Sequence, residues 1–508
     1  MSSSDSAGYA GPPGVGGQDT TTTTTFTGTG GQAPPEQELE SSFQAPVATG
    51  NYVWTANPSS GRVAYINATT LQVQVVEAGN APTFLAALPD AHDDVAIVLN
   101  VLSHDATVLR AKSDGTLSTL TLPVPPSGNA WAVSSQGRWA TAWTDARRID
   151  SPDPLDGYQD IAVLDLASGA EKSTALTVGY RPMALGYDDL GTKLFAVTDD
   201  GVSVVALGGA APAMVKNVPL SDDPLEDPST RDVSITPDGG YALVRREGEP
   251  VVGVVSLSTG TRVDVTLPAA VTDLDLSFDG TVAAAVIRDT GQVALLPIPQ
   301  IVAAPDGYTL FQVEGVVVGS VSFASASPTG VLYTNAVSSD VVTVFDGSAA
   351  TPQPRSILLH APVLAVFPTP EGGHALVLHH DLGANSSYPA AMSVVPIAAE
   401  LPSKIVGLDA PASSVAIGLD GAHALVATGD DSNTAYRLVV AHMPSLQIET
   451  YELASQPIAA GIVEGANQGY VAQKHPDGRI TFVNFASDEV RTLTGFELAS
   501  EVVNGSKP

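Results

Sequence analysis

Cysteine is absent from the 508 residues. That excludes disulfides, thiolate metal sites, cysteine nucleophiles and covalent attachment of a c-type haem together. Basic residues are scarce: 22 Lys and Arg stand against 54 Asp and Glu, a formal charge of −32. A nucleic-acid partner is not expected, because a phosphate backbone is neutralised by Lys and Arg. Simple electrostatic binding to an anionic membrane surface is not expected either. No run approaches the ~20 apolar residues of a membrane-spanning helix, so no transmembrane segment is expected. Long amphipathic helical patterns are missing. Met1 is followed by Ser2, Ser3, Ser4 and Asp5, without the charged and then apolar stretch of a secretory signal. Neither a G-x-S-x-G elbow nor a P-loop is found, so nucleophilic catalysis and phosphate chemistry have no motif behind them.

What is present is apolar and turn-rich: 44% hydrophobic residues, 47 Gly and 38 Pro. This suits many short strands joined by tight turns. Residues 1–42 stand apart as a low-complexity stretch, with Gly11-Pro12-Pro13-Gly14, a threonine run over 20–25 and Gly28-Thr29-Gly30-Gly31. Such a composition buries too little apolar surface to offset its ordering entropy. It is expected to be a disordered tail or tether ahead of one folded domain over 43–508. A Ser/Gly/Thr-rich start is similar to the spacer after the lipidated Cys of a bacterial lipoprotein. On that reading the signal and the lipidated residue are missing from this chain. The protein is then exported, to the periplasm, the outer membrane or the cell surface.

From about residue 43 one phrase recurs. Its best-kept copy is 331–346, VLYTNAVSSDVVTVFD. An apolar strand stops at Asn335, a polar turn follows, and an alternating strand runs from Val342 to Asp346. Turns punctuate the series: Pro89-Asp90, Gln136-Gly137, Asp189-Leu190-Gly191, Pro237-Asp238-Gly239-Gly240, Asp279-Gly280, Pro328-Thr329-Gly330, Pro370-Glu371-Gly372-Gly373, Asp420-Gly421 and Asn467-Gln468-Gly469. Asp bonds its own backbone there and Gly accepts positive φ. Their spacing, roughly 41–54 residues, is that of one four-stranded propeller blade. An apolar strand follows each turn, and with 52–54 these strands number ten. Continuous apolar runs fit strands buried on both faces. They are read as the first, axis-nearest strand of each unit, and the turns as links from one unit's fourth strand to the next unit's first.

The expected fold is all-β: a β-propeller of about ten four-stranded repeats in a single large ring. Tandem smaller propellers, or about eight blades, are the alternatives. The segment 43–47 is expected to pair with the last unit and close the ring, which removes exposed edges. Two stretches break the rhythm, RRIDSPDPLDGYQD over 147–160 and SDDPLEDPSTRD over 221–232. Both are acidic and contain Pro, so both are expected as surface excursions, where binding often resides.

These residues resemble the YVTN-type β-propeller repeat. Tyr333, Thr334, Asn335, Val342, Val344 and Asp346 match its pattern, with Thr343 and Phe345 as mild variants. Gly179-Tyr180-Arg181-Pro182 and Gly79-Asn80-Ala81-Pro82 resemble its G-x-x-P element. The resemblance implies a propeller over about 50–500. Related propellers include surface-layer-like proteins, lactonase-like enzymes and electron-transfer subunits, and no catalytic residue is carried over from them. Such motifs identify a fold rather than a function.

In a propeller the loops after corresponding strands emerge on one face. Read across units, that face offers His104, Asp145, Asp199, Arg245, Arg288, Asn335, His379, His380, Asp381, Asp430 and His475 as candidate binding residues around the axis. His379 and His380 are strand neighbours and point to opposite sides, so they do not share one metal. One of them with His104 or His475 would suit Zn²⁺. The run His92-Asp93-Asp94 offers carboxylates to Ca²⁺ without an EF-hand spacing. No cofactor is required by any motif, and the metal content is left open. The reading that follows is a non-enzymatic, exported, tethered scaffold that binds protein or glycan partners at the cell envelope. The alternative is a lactonase-like or other hydrolase with a polar or metal site at the axial channel.

Overall fold

The computed structural model describes residues 43–89, 93–112, 116–223, 226–383, 386–397 and 401–496. The expected tail, and His92 of the calcium reading, lie outside the described residues. The chain forms ten four-stranded antiparallel sheets, each built from four consecutive strands in simple order. They are blades of one ring, spanning 47–77, 82–123, 130–177, 184–218, 231–266, 273–312, 320–358, 363–408, 412–452 and 457–494. Within each blade the strands are called a to d. The a strands of most adjacent blades touch one another around the axis, and the d strands form the rim, as the exposed pattern of Leu117–Pro123 shows.

The core explains the ring. Ten apolar clusters are found among the described residues, and each is shared by two adjacent blades. A single blade has two apolar faces and cannot bury either alone. The b and c strands meet neighbours on both faces, so they read as continuous apolar runs: Trp139–Trp143 is buried throughout.

Two expectations are corrected by this arrangement. The ten apolar strands are the b strands, one step out from the axis, and the Pro-Asp-Gly turns are a–b hairpins inside a blade. The a strand escaped notice because it is often short and mixed, as in Asp273–Leu276, where Asp and Leu alternate. Closure also differs. Val47–Ala48 pairs with Val53 and Trp54 of its own blade, as its a strand, and not with the last unit. The ring closes by packing, with Phe43, Val53 and Ile66 against Tyr470, Phe482 and Phe496.

Strand direction sorts the connections onto two faces. The a–b and c–d turns lie on one, called the turn face. The b–c loops and the d–a linkers lie on the other, the loop face. On the turn face the hairpins are stitched to their neighbours: Asp189 N donates to Pro237 O at 2.9 Å, and Ala326 N to Pro370 O at 2.9 Å. Asp94 accepts from Asn51 N at 2.8 Å and Nδ2 at 3.0 Å in the same way, so this member of the calcium run is engaged between blades. The turn glycines serve these contacts. Gly280 has φ +67, and a Cβ there would lie 2.4 Å from Pro237 Cδ of the preceding blade.

Candidate binding face

The candidate residues all lie at or beside the ends of b strands, on the loop face. Most are engaged locally. His379 Nδ1 is 3.2 Å from Pro362 O and its Nε2 is 2.7 Å from Ser393 Oγ. The carbonyl acceptor places the proton on Nδ1 and leaves Nε2 to accept from the hydroxyl. Burial holds its pKa below the usual imidazole value, against the bonds to the Pro362 and Ala361 backbone. His380 points the other way and donates from Nε2 to Asn335 O at 2.7 Å, across to the preceding blade. His104, at φ +56, donates from Nδ1 to Pro126 O at 3.0 Å. Asp381 accepts from Gly383 N, Asp430 from Ser432 N and Asn433 N, and His475 Nδ1 from Asp477 N. These are turn-building bonds.

The arginine sector of blades three to six brings more groups together. Asp145 is buried and accepts from Arg147 Nε at 2.9 Å and Nη2 at 2.9 Å, with Arg148 at 3.6 Å. Arg245 reaches Asp232 at 3.3 Å. The Asp199 carboxyl is raised by burial, with Arg231 and Arg181 opposing, and its carbonyl accepts from Arg231 Nη2 at 2.7 Å. Arg288 lies along Gly319 of the next blade, where a Cβ would fall 2.1 Å from Nη2. Of the eleven, then, His380 meets Asn335, while Asp145, Asp199 and Arg245 each meet a charged partner outside the set.

The two excursions are held at residues along their length. Glu226 takes a two-pronged contact from Arg246, Nε to Oε1 at 2.8 Å and Nη2 to Oε2 at 3.0 Å. Burial pushes the Glu226 pKa up, and the bonds from Arg246 and Ser221 bring it below the ordinary value. The longer excursion, 147–160, is pinned to the following linker: Tyr180 Oη donates to Pro154 O at 3.0 Å, and Arg181 Nη2 to Asp153 O at 3.0 Å. Asp153 accepts from Leu155 N at 2.8 Å. At the tip, Leu155 is 91% exposed. Other aliphatic tips stand on the same face: Leu102 and Val337 in b–c loops, each 72% exposed, and Val317 in a d–a linker.

The linkers show what the G-x-x-P element does. A Cβ on Gly179 would lie 2.3 Å from Thr198 Oγ1, and one on Gly79 would lie 2.5 Å from Ser103 Oγ. The absent side chain lets each linker press against the b strand end of the next blade. Tyr180 N then donates to Asp200 Oδ2 at 2.7 Å, and Asn80 N to Ser103 Oγ at 3.0 Å.

Sequence reasoning missed a second polar group near the axis. Asp273 and Asp275, on the sixth a strand, accept from Val321 N and Phe323 N of the seventh, each at 2.9 Å. Their charge, after burial, raises the pKa of Tyr333, the tyrosine of the best-kept repeat. The alternation Asp-Leu-Asp-Leu was the available signal. Beside it, on the turn face, is a cavity of about 220 Å³ lined by residues of blades four to seven, including Asp189, Asp275 and Phe278. A wider groove of about 630 Å³ runs between blades two and three, lined by Pro123, Pro125, Pro126 and Leu176 with Asp160 as its one charged residue.

The chain matches no known family's sequence pattern, and no curated protein sequence matches it. Solved structures share the fold. A crystal structure of a eukaryotic initiation factor superimposes with a TM-score of 0.53 at 12% identity, over 81% of this chain and 96% of that one. The dihydro-heme d1 dehydrogenase NirN in complex with DHE gives 0.43 at 14% identity, over 73% of each chain. Kuenenia stuttgartiensis hydrazine synthase gives 0.33 at 13% identity, over 73% of this chain and 96% of that one. At such identities the likeness is one of fold, and the last two are too remote to carry argument. The class is a ten-bladed β-propeller.

Proposed function

We propose that this protein is a non-enzymatic, YVTN-type propeller scaffold that binds a protein partner on its loop face, exported and tethered at the cell envelope by residues 1–42. The observation that carries the reading is Leu155, held 91% exposed at the tip of an excursion whose neighbouring residues Asp153 and Pro154 are pinned by Arg181 and Tyr180. Ordering a loop to present an aliphatic side chain to water costs free energy, and burying that side chain in a partner recovers about 1.5–3 kcal/mol. Leu102, Val317 and Val337 extend the apolar character of the face. Aliphatic tips favour a polypeptide partner over a glycan, which is more often met by stacked aromatic rings. The hydrolase alternative needs titratable side chains that converge with room for a substrate. On the loop face the candidate residues are instead committed to turns, neighbouring carbonyls and arginine pairs.

The test uses the full chain in its source cells, with a photoreactive side chain at position 155 or at position 358 on the rim. A discrete protein adduct from 155 alone supports the reading, and its loss with Leu102→Asp and Val337→Asp in the same chain places the partner on this face. Equal adducts from both positions, or none, count against it. So does turnover of lactones or esters by the purified protein.

A further inference from the structure

The ninth and tenth blades meet at the turn face in a group that takes no part in the binding face. His442 ends the ninth c strand, Arg437–His442, and Glu449 lies on the adjoining d strand, Gln447–Glu452. Asp488 comes from the c–d turn of the tenth blade, where Asn484 O accepts from its N at 2.9 Å. One ligand atom from each of these three side chains lies within 4.8 Å of the others, the one such group among the described residues. His442 Nε2 is sealed from solvent and meets no hydrogen-bond partner. It stands 4.0 Å from Glu449 Oε1, too long for a hydrogen bond. A buried ring nitrogen left without a partner needs an explanation.

We infer that His442, Glu449 and Asp488 form a binding site for a divalent transition-metal ion of the Zn²⁺ class. One imidazole and two carboxylates form a three-ligand set that such an ion accepts, with the fourth position left to water. Tetrahedral bonds of about 2.0–2.1 Å put ligands about 3.3 Å apart. The ligand atoms already lie within 4.8 Å of one another, so about 1.5 Å at most separates any pair from that spacing, and Asp488 is exposed. The outer contacts are in place. Glu449 Oε1 accepts from Gln447 Nε2 at 2.9 Å and Oε2 accepts from Tyr451 Oη. Such second contacts orient ligands and tune affinity. Two carboxylates meet one imidazole at this seam, and a cation would balance their charge. His423 borders the site, its ring 5.1 Å from His442 and stacked at 4.1 Å on Phe485 from the same turn as Asp488. An ion here would strap the tenth blade's turn to the ninth, one blade from where the ring closes.

The full chain, stripped with a chelator, is titrated with Zn²⁺ by calorimetry and with Co²⁺ by visible absorption. One tight site per chain is expected, with the d–d bands of a low-coordinate Co²⁺ centre. Asp488→Asn is the informative variant. Asp488 has φ +56 and is exposed, and Asn tolerates that backbone, so the turn is kept while the charged ligand is lost. It should weaken Zn²⁺ binding at least ~10-fold with the melting temperature of the metal-free protein unchanged. His442→Gln should do the same, and His380→Gln on the loop face should bind like the parent. Absence of a stoichiometric site, equal binding by Asp488→Asn, or loss of binding in His380→Gln would each overturn the assignment.

Discussion

Phe43 and Phe496 meet edge to face across the seam of the ring, their centroids 5.6 Å apart and their planes at 83°. Both are buried, and Gly478 makes room for the pair: a Cβ there would lie 2.4 Å from Phe496 Cδ2. The contact joins the two ends of the described chain, because no strand is exchanged between the first and last blades.

Phe43→Ala is therefore expected to act on the whole ring. Truncating a buried Phe costs about 3–5 kcal/mol. Here the lost contact also exposes the two apolar blade faces that it seals. Urea unfolding should show a lower midpoint, and removal of residues 1–48, which takes the first a strand as well, should lower it further. An unchanged midpoint for either would refute closure by packing.

Asp273 presents a choice between charge and hydrogen bond. Its carboxyl is pushed up by burial, while the bonds from Val321 N and Leu274 N oppose the shift. A carboxyl whose folded pKa lies above its unfolded value holds its proton more tightly in the fold, so its contribution to stability falls as pH rises through that window. At pH 7 the charge is a burden and the acceptor is an asset. Asp273→Asn keeps an acceptor for Val321 N and removes the charge, at the loss of the acceptor for Leu274 N, and should melt well above Asp273→Ala. Asp273→Ala strands that N–H and should cost about 1–3 kcal/mol.

His379 sets a pH dependence of defined sign. Its folded pKa is lowered by burial, and those of His374 and His423 move the same way, also by burial. The unfolded chain takes up protons near 6.5 that the folded chain refuses, so stability is full above that pH and is lost as pH falls below it. Thermal melts should show the midpoint dropping from pH 7 to pH 5.5. His379→Gln should be less stable than the parent at pH 7, with the gap narrowing at pH 5.5. A gap that widens on acidification would contradict this.

Arg246 should control the shorter excursion more than the ring. Its side chain grips Glu226 with two bonds and also donates to Leu220 O at 3.1 Å. Arg246→Ala releases that grip, and limited proteolysis should cut within 221–230 at least ~10-fold faster, since cleavage follows the population of the opened segment. Arg246→Lys, which lacks the planar fork, should fall between. Equal cleavage rates would show that the excursion is held by other contacts.

Much of the architecture is legible in the sequence. The ten b strands stood out because a strand covered on both faces must be apolar at every position, and the turns stood out because Asp and Gly are needed there for backbone reasons. The phase of the blade was not legible. Apolar runs report burial, and the most buried strand is the second one out, not the one beside the axis. Asp273–Leu276 was overlooked because an edge strand at the channel carries polar side chains that serve its neighbour.

The sequence by itself determined the period, the number of units, the turn chemistry and the divergence of His379 from His380, since all of these follow from local backbone geometry and from repetition. Only the tertiary structure decided which polar groups find partners. Closing the ring places each residue beside one from the next blade, as with Asp273 and Val321, which are 48 positions apart. His442 and Asp488 are brought together in the same way. Hydrogen bonding and coordination depend on distances of a few tenths of an ångström, and a repeating pattern of residue types carries no record of them.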